Sequence, residues 1–263
     1  MGESVRFDRA AEEYDRTRAI SDDAMAQTIE LLSSELEGRG RVLEVGVGTG
    51  LLALPLHDAG IPVAGIDLTP SMLGKLMEKA GGHPPFPLVL ADAIRMPLAD
   101  GTFGGAYLRW VLHLIPSWRA ALAETLRVVR LGGVVLVDLG GYGDARCEII
   151  QSRFAEISGI SIDPVGLDHS DHDSLDAEMA TRGATLRELP PVHEEGEDAL
   201  GEFIDGIEQG RWSWTWPAPE DVRGRAAEEL RPWAAERFGP LDRVERYELA
   251  SIWRAYDLPH RRR

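Results

Sequence analysis

Val42-Leu43-Glu44-Val45-Gly46-Val47-Gly48-Thr49-Gly50 is the stretch whose reading decides the fold. Residues 41–45 form an apolar run of strand type, and residues 46–50 carry three glycines in five positions. Glycine reaches backbone conformations closed to other residues and lets the main chain approach a ligand closely. A buried strand running into such a turn sets that ligand at the C-terminal edge of a sheet. The spacing is G-x-G-x-G, one residue shorter than the G-x-G-x-x-G that seats a pyrophosphate on a helix N-terminus. A tight structural turn explains such a loop equally well when nothing else accompanies it.

Working outward, apolar periodicity switches repeatedly between strand and helix. The pattern predicts a helix over 51–59, a strand over 62–66, a helix over 70–80 and strands over 88–90 and 104–108. A helix over 118–130 follows, broken by Gly132-Gly133 before a strand over 134–139. This alternation implies an α/β fold with a parallel sheet wrapped on both faces, its crossovers right-handed. Residues 1–40 read as helical, with Ser21 as an N-cap and Gly38 and Gly40 as the stop. After a glycine turn at 140–143, helices are expected over 144–157, 174–182, 199–209 and 219–238. Strands are expected over 185–192 and 244–256, the two that complete a mostly parallel seven-stranded sheet. The expectation is one domain: 1–40 a helical lid, 41–140 a binding core, 141–242 helical cap insertions, and 243–263 the last strand and tail.

Composition narrows the function classes. The 263 residues carry a formal charge of -16, which disfavours broad contact with nucleic acid and with anionic membrane surfaces. Arg261, Arg262 and Arg263 read as a solvated tail. The single cysteine, Cys147, rules out an intramolecular disulfide and a cysteine-built metal site. No stretch reaches the length of a membrane span and the N-terminus lacks a signal core, so the expected compartment is the cytoplasm. A homodimer stays open.

Two carboxylates fall at further strand ends. Asp67 closes 62–66, where it could accept both ribose hydroxyls of a nucleotide or simply cap the next helix. Asp92, in Ala91-Asp92-Ala93, could take an adenine amino group while Ala93 offers a backbone N–H; a solvated loop carboxylate is the alternative. With these features in order, the segment from about Phe7 to Leu139 resembles the class I S-adenosylmethionine (SAM)-dependent methyltransferases, in particular the group related to ubiquinone and menaquinone methyltransferases. Further matching pieces are 65–73, Met96-Pro97-Leu98, Asp100-Gly101-Thr102-Phe103 and Leu131-Gly132-Gly133. The resemblance implies a Rossmann-like doubly wound fold and SAM as cofactor. It implies that Gly46, Val47 and Gly48 line the methionine and ribose, and that Glu44 orients the amino group. Asp67 would bind the ribose, Leu68 and Met72 the adenine face, and Asp92 and Ala93 the adenine edge. The family's N-terminal pattern is matched by residues 7–15, Phe7 to Asp15, which makes Tyr14 and Arg18 candidates for closing over SAM, with Arg18 near its carboxylate.

The chain departs from the family after 104–108, where Arg109-Trp110 replaces small or polar residues. Arg109 could touch SAM through its backbone, and Trp110 could reshape the floor of the acceptor pocket. Methyl transfer needs mainly alignment and exclusion of water, with a base where the acceptor must lose a proton. His113 is the candidate base, with helix packing as its alternative. Trp212, Trp214 and Trp216 would share one face if extended, and could line a pocket for a small apolar or aromatic acceptor or pack the cap. His169 and His172 lie in an Asp-rich stretch that reads as a solvated polar loop, so no metal is expected. The competing readings are a protein that binds SAM without transfer and an NAD-dependent oxidoreductase, the latter disfavoured by the glycine spacing.

Overall fold

Pairing spreads from strand β1 (Val42–Val45), whose four residues are all buried. In the computed structural model, which describes residues 3–8, 11–12, 14–18, 20–140 and 144–260, β1 lies between β2 (Val63–Asp67) and β4 (Phe103–Arg109). β3 (Leu88–Leu90) adds beside β2, and β5 (Val129–Asp138) beside β4, all parallel. β9 (Arg254–Asp257) then runs antiparallel to both β5 and β6 (Thr185–Glu188). The sheet formed by the described residues is thus seven-stranded, in the order β3-β2-β1-β4-β5-β9-β6. Arg9, Ala10, Glu13, residues 141–143 and Arg261, Arg262 and Arg263 lie outside the described residues.

Strand residues alternate between two apolar layers, as a sheet covered on both faces requires. Val42, Val63, Tyr107 and Leu136 pack with Leu32 and Leu36 of α2 (Asp22–Leu36), Leu56 of α3 (Ala53–Asp58) and Leu76 of α4 (Pro70–Lys79). Leu43, Ile66, Leu108 and Val135 pack the other way, with Leu122 of α5 (Trp118–Val128) and Leu175 of α7 (His172–Thr181). The doubly wound arrangement follows directly from that alternation. Ser21 caps α2 as expected, its hydroxyl accepting from the Ala24 N–H at 3.2 Å.

Several boundaries differ from expectation. Among the described residues of 1–40, helix is confined to α1 (Tyr14–Arg18) and α2, and residues 3–8 are irregular. Gly132 and Gly133 do not break a helix. They sit within β5, which begins at Val129 because that residue already pairs with Phe103, and a register shift follows. The expected strand over 185–192 ends at Glu188, because Pro190 and Pro191 have no N–H to give a ladder. The long last strand is two. β8 (Val244–Ser251) pairs with β7 (Val192–Ala199), the chain turns at Ile252-Trp253 with Trp253 fully buried, and β9 then joins the large sheet.

The chain divides into two compact units, one of residues 1–140, 165–192 and 251–263, the other of residues 141–164 and 193–250. The inserted segment is therefore interrupted, since residues 165–192 return to the first unit. The second unit packs α6 (Ala145–Ser158), α8 (Leu200–Gln209) and α9 (Glu220–Phe238) around Ile150, Phe154, Ile204 and Leu230, and holds the two-stranded sheet.

Candidate active site

The glycine turn leaves β1 and is fixed to β2. The Gly46 and Val47 N–H groups donate to the Ile66 carbonyl at 2.9 and 2.8 Å, and the Gly48 N–H donates to Asp67 Oδ2 at 2.9 Å. Gly46 and Gly48 both have positive φ, 77° and 53°. A Cβ on Gly46 would strike Val111 at 2.8 Å, whereas one on Gly48 would point between Met72 and Tyr14. The turn is therefore pressed against the next layer at Gly46 and open to a ligand at Gly48.

Asp67 ends β2 and also accepts from the Thr69 N–H at 2.8 Å. Burial raises its carboxyl above the ordinary value, and the backbone bonds from Thr69 and Gly48 pull it back. Glu44 lies beneath the turn, where it accepts from the Tyr107 hydroxyl at 3.0 Å and from the N–H of Ala53 at the start of α3. Desolvation pushes it up to about 8, against the lowering pull of Tyr107 and of the Arg109 charge.

A cleft open to solvent runs along these strand ends. Its wall contains Tyr14, Gly46, Gly48, Asp67, Leu68, Met72, Asp92, Ala93, Arg109 and Trp110. Ten residues singled out in the sequence therefore meet in one place. Four others stand apart from that wall. Glu44 is below it, and Val47 is a core side chain packed over Gly65. Arg18 stands 5.9 Å from the Tyr14 ring centroid, and His113 sits in a 3₁₀ turn, Leu112–Leu114.

Sequence reading missed the strap that rims the cleft. Ser4, Val5 and Phe7 contribute to the wall. The Val5 N–H donates to the Leu114 carbonyl at 3.0 Å and the Phe7 N–H to Thr69 Oγ1 at 3.2 Å. The Thr49 hydroxyl donates to Asp15, and Lys79 pairs with the same carboxylate at 2.7 Å. Phe7 and Asp15 belong to the N-terminal pattern already noted, and that was the available signal. Burial raises the Tyr14 phenol, with the Arg18 and Arg109 charges opposing.

The second missed residue is Asp138, the end of β5, which stands opposite Arg109 in the ladder. Its carboxylate lies 3.6 Å from Arg109 Nε and accepts from the Trp110 indole N–H at 3.1 Å and the Gly140 N–H at 2.9 Å. Burial raises it, against the lowering Arg109 charge. Trp110 has φ of 54°, costly for a bulky residue, and is held there by these bonds and by the Arg109 guanidinium stacked 3.8 Å from its ring centroid.

His169 is not in a solvated loop. Its ring lies tilted against His113, 4.2 Å between centroids, and its Nδ1 is 2.5 Å from the Leu139 carbonyl. Burial, then the His169 and Arg18 charges, lower His113 well below the ordinary imidazole value, and its Nδ1 is buried with no hydrogen-bond partner among the described residues. His172 turns elsewhere, accepting from Arg254 Nε at 3.1 Å. Among the described residues no group of three or more His, Cys, Asp or Glu could hold a metal ion. No described helix is long and apolar enough to cross a membrane.

Trp212, Trp214 and Trp216 belong to the second unit, and they are not extended. A 3₁₀ turn, Ser213–Thr215, brings the Trp212 and Trp214 rings parallel at 5.8 Å. Both pack on Phe203, Trp214 also meets Phe154, and the Trp216 indole donates to the Gly210 carbonyl at 2.8 Å.

Residues 43–137, which include β1 to β5 almost entire, match the family described as a methyltransferase domain. Over that stretch the chain is similar to a methyltransferase domain. Over 101 residues it is 39% identical to a phosphatidylethanolamine N-methyltransferase of Cereibacter sphaeroides, covering 37% of this chain and 49% of that protein. Over 139 residues it is 32% identical to a demethylmenaquinone methyltransferase of Renibacterium salmoninarum, covering 51% and 56%. The chain thus spans about half the length of the curated relatives it matches. Among solved structures, the YcgJ protein of Bacillus subtilis superposes with a TM-score of 0.61 at 16% identity, covering 90% of this chain and 98% of that one, a likeness of fold. The methyltransferase domain matched in sequence is the part that carries the glycine turn, Asp67, Asp92 and Arg109.

Proposed function

We propose that the chain transfers a methyl group from SAM to a small apolar or aromatic acceptor. The observation that carries this reading is the meeting of Gly48, Asp67 and Asp92, from three successive strand ends, in the wall of one cleft. The residues fit the cofactor. Gly48 leaves space between Met72 and Tyr14, and Arg109 Nη2 is a buried donor with no hydrogen-bond partner among the described residues. SAM supplies an activated methyl carbon on a positively charged sulfur.

The protein's part is then alignment and exclusion of water. Asp67, at the end of β2 in the wall of the cleft, accepts from the ribose hydroxyls. Met72 and Leu68 flank the base, and Asp92 with the Ala93 N–H reads its edge. Tyr14 and the strap of residues 4–8 cover the cleft. Val5, Phe7 and Ile115 give the wall an apolar stretch suited to an apolar acceptor. His113 is the proposed base where the acceptor must lose a proton. Its lowered basicity keeps the imidazole neutral at pH 7, and the His169 ring packed against it restrains it.

Calorimetric titration with SAM, S-adenosylhomocysteine and NAD tests the reading. The first two are expected to bind and the third not, and a methyl-transfer screen over small apolar acceptors follows. NAD binding without SAM binding would overturn it.

A further inference from the structure

Arg109 is a charged group in an unusual state. Its side chain is 7% exposed, its Nε stands 3.6 Å from Asp138, its face lies on Trp110, and its Nη2 is buried with no hydrogen-bond partner among the described residues. A buried guanidinium N–H left without an acceptor is costly. Three restraints nevertheless hold it there: the Asp138 carboxylate, the Trp110 ring, and the strained backbone of Trp110, itself locked to Asp138. A donor kept ready at such cost points to a ligand that supplies the acceptor.

The order of the strands says which part of the ligand that is. Reading β3-β2-β1-β4 along the sheet, the groups at the strand ends are Asp92, Asp67, the Gly46–Gly48 turn and Arg109. Two carboxylates occupy one end of this row and a cation the other. Among the described residues, Arg109 is the one cation in the wall of the cleft. SAM, extended along the same row with its base at Asp92 and its ribose at Asp67, brings its methionine portion past the glycine turn to β4. Its one anionic group is the carboxylate of that portion.

Resting on the donor reading above, we infer that the Arg109 side chain, positioned by Asp138 and Trp110, binds the methionine carboxylate of the cofactor. Two N–H groups of a guanidinium fit a carboxylate side by side, a match that lysine cannot reproduce. Asp138 and Trp110 act through Arg109 as positioning residues, and the departure from small residues at 109–110 gains a purpose.

The test compares S-adenosylhomocysteine with its decarboxylated analogue, which keeps the nucleoside, the thioether and the amine. Calorimetry on the full chain is expected to show the carboxylate-bearing ligand binding about tenfold to a hundredfold tighter, the worth of a charge-assisted bond. Arg109→Met should reduce S-adenosylhomocysteine to the affinity of the analogue while leaving the analogue unchanged, and Arg109→Lys should retain part of the difference. Because Arg109→Met leaves Asp138 buried without its cation, the same titrations on Arg109→Met/Asp138→Asn, with melting as a control, separate recognition from folding. Equal weakening toward both ligands in the double variant would overturn the inference and make Arg109 structural. Unchanged S-adenosylhomocysteine affinity would overturn it too. Wild-type chain that binds neither ligand would sink the donor reading itself, a different result.

Discussion

The two sheets of this protein obey different rules. β1 is buried at every residue, and β4 at all but its last, because parallel strands in the first unit are covered on both faces. β8 alternates exposed and half-buried residues from end to end, and β7 carries His193, Glu194, Glu195, Glu197 and Asp198. Burial in the first unit makes charge costly, and three carboxyl groups kept there are bonded or ion-paired: Glu44 by Tyr107, Asp67 by Gly48 and Thr69, Asp138 by Trp110 and Arg109. In the second unit Arg231 pairs with Asp205 and Glu208, and Tyr247 with Asp198, at more exposed positions where such pairs contribute little. The first unit holds preorganised polar groups at a strand edge, whereas the second places its large aromatics in its own core.

Trp214→Ala is the strongest way to break that contrast. Removing a ring packed on Phe154, Phe203 and Trp212 should destabilise by about 3 kcal/mol and lower the melting temperature by several degrees. S-adenosylhomocysteine affinity measured below the transition should not change. A loss of affinity with normal melting would assign this tryptophan to binding.

Asp67→Ala acts in the other unit and should do two things together. It removes the acceptor for the ribose, worth about 1.5–3 kcal/mol, so the dissociation constant should rise at least about tenfold. It also frees the Gly48 and Thr69 N–H groups, so melting should fall as well. An unchanged dissociation constant would remove Asp67 from the site.

Glu44 sharpens the comparison through pH, with an effect of about 1 kcal/mol per pH unit at most. Its folded value of about 8 lies above the ordinary 4.5, so between these the folded state binds more protons than the unfolded. Stability from this group is complete below about 4.5 and falls as pH rises towards about 8. Glu44→Gln, which mimics the neutral carboxyl, should flatten the melting profile from pH 5 to 8. Parallel profiles for both proteins would show Glu44 ionised in the fold.

Much of the binding edge was legible in the chain because it is local. The strand, the three glycines and the acid that ends β2 lie within 26 residues, and each property follows from backbone chemistry at its own position. His169 was misread for the opposite reason. Aspartates flank it in sequence, yet the structure gives it His113 and Leu139 as partners, more than 25 positions away. Asp138 escaped notice because an acid after an apolar strand carries no signal of the Arg109 that pairs with it 29 residues earlier. The last strand was read as continuous because residues 244–256 hold no glycine or proline to mark a break, and nothing local says which sheet each half joins.

The amino-acid sequence by itself determined the alternating architecture, the ligand-bearing edge and the order of groups along it, since periodicity, glycine and strand-terminal acids act over a few residues. Tertiary structure alone decided which buried charges meet. It set Arg109 against Asp138 and Trp110, brought two histidines ring to ring, tied the N-terminal strap to Thr69 and Leu114, and gave Trp212 and Trp214 to the core of the second unit. Those outcomes depend on desolvation and on partners distant in the chain, and neither is written at any single position.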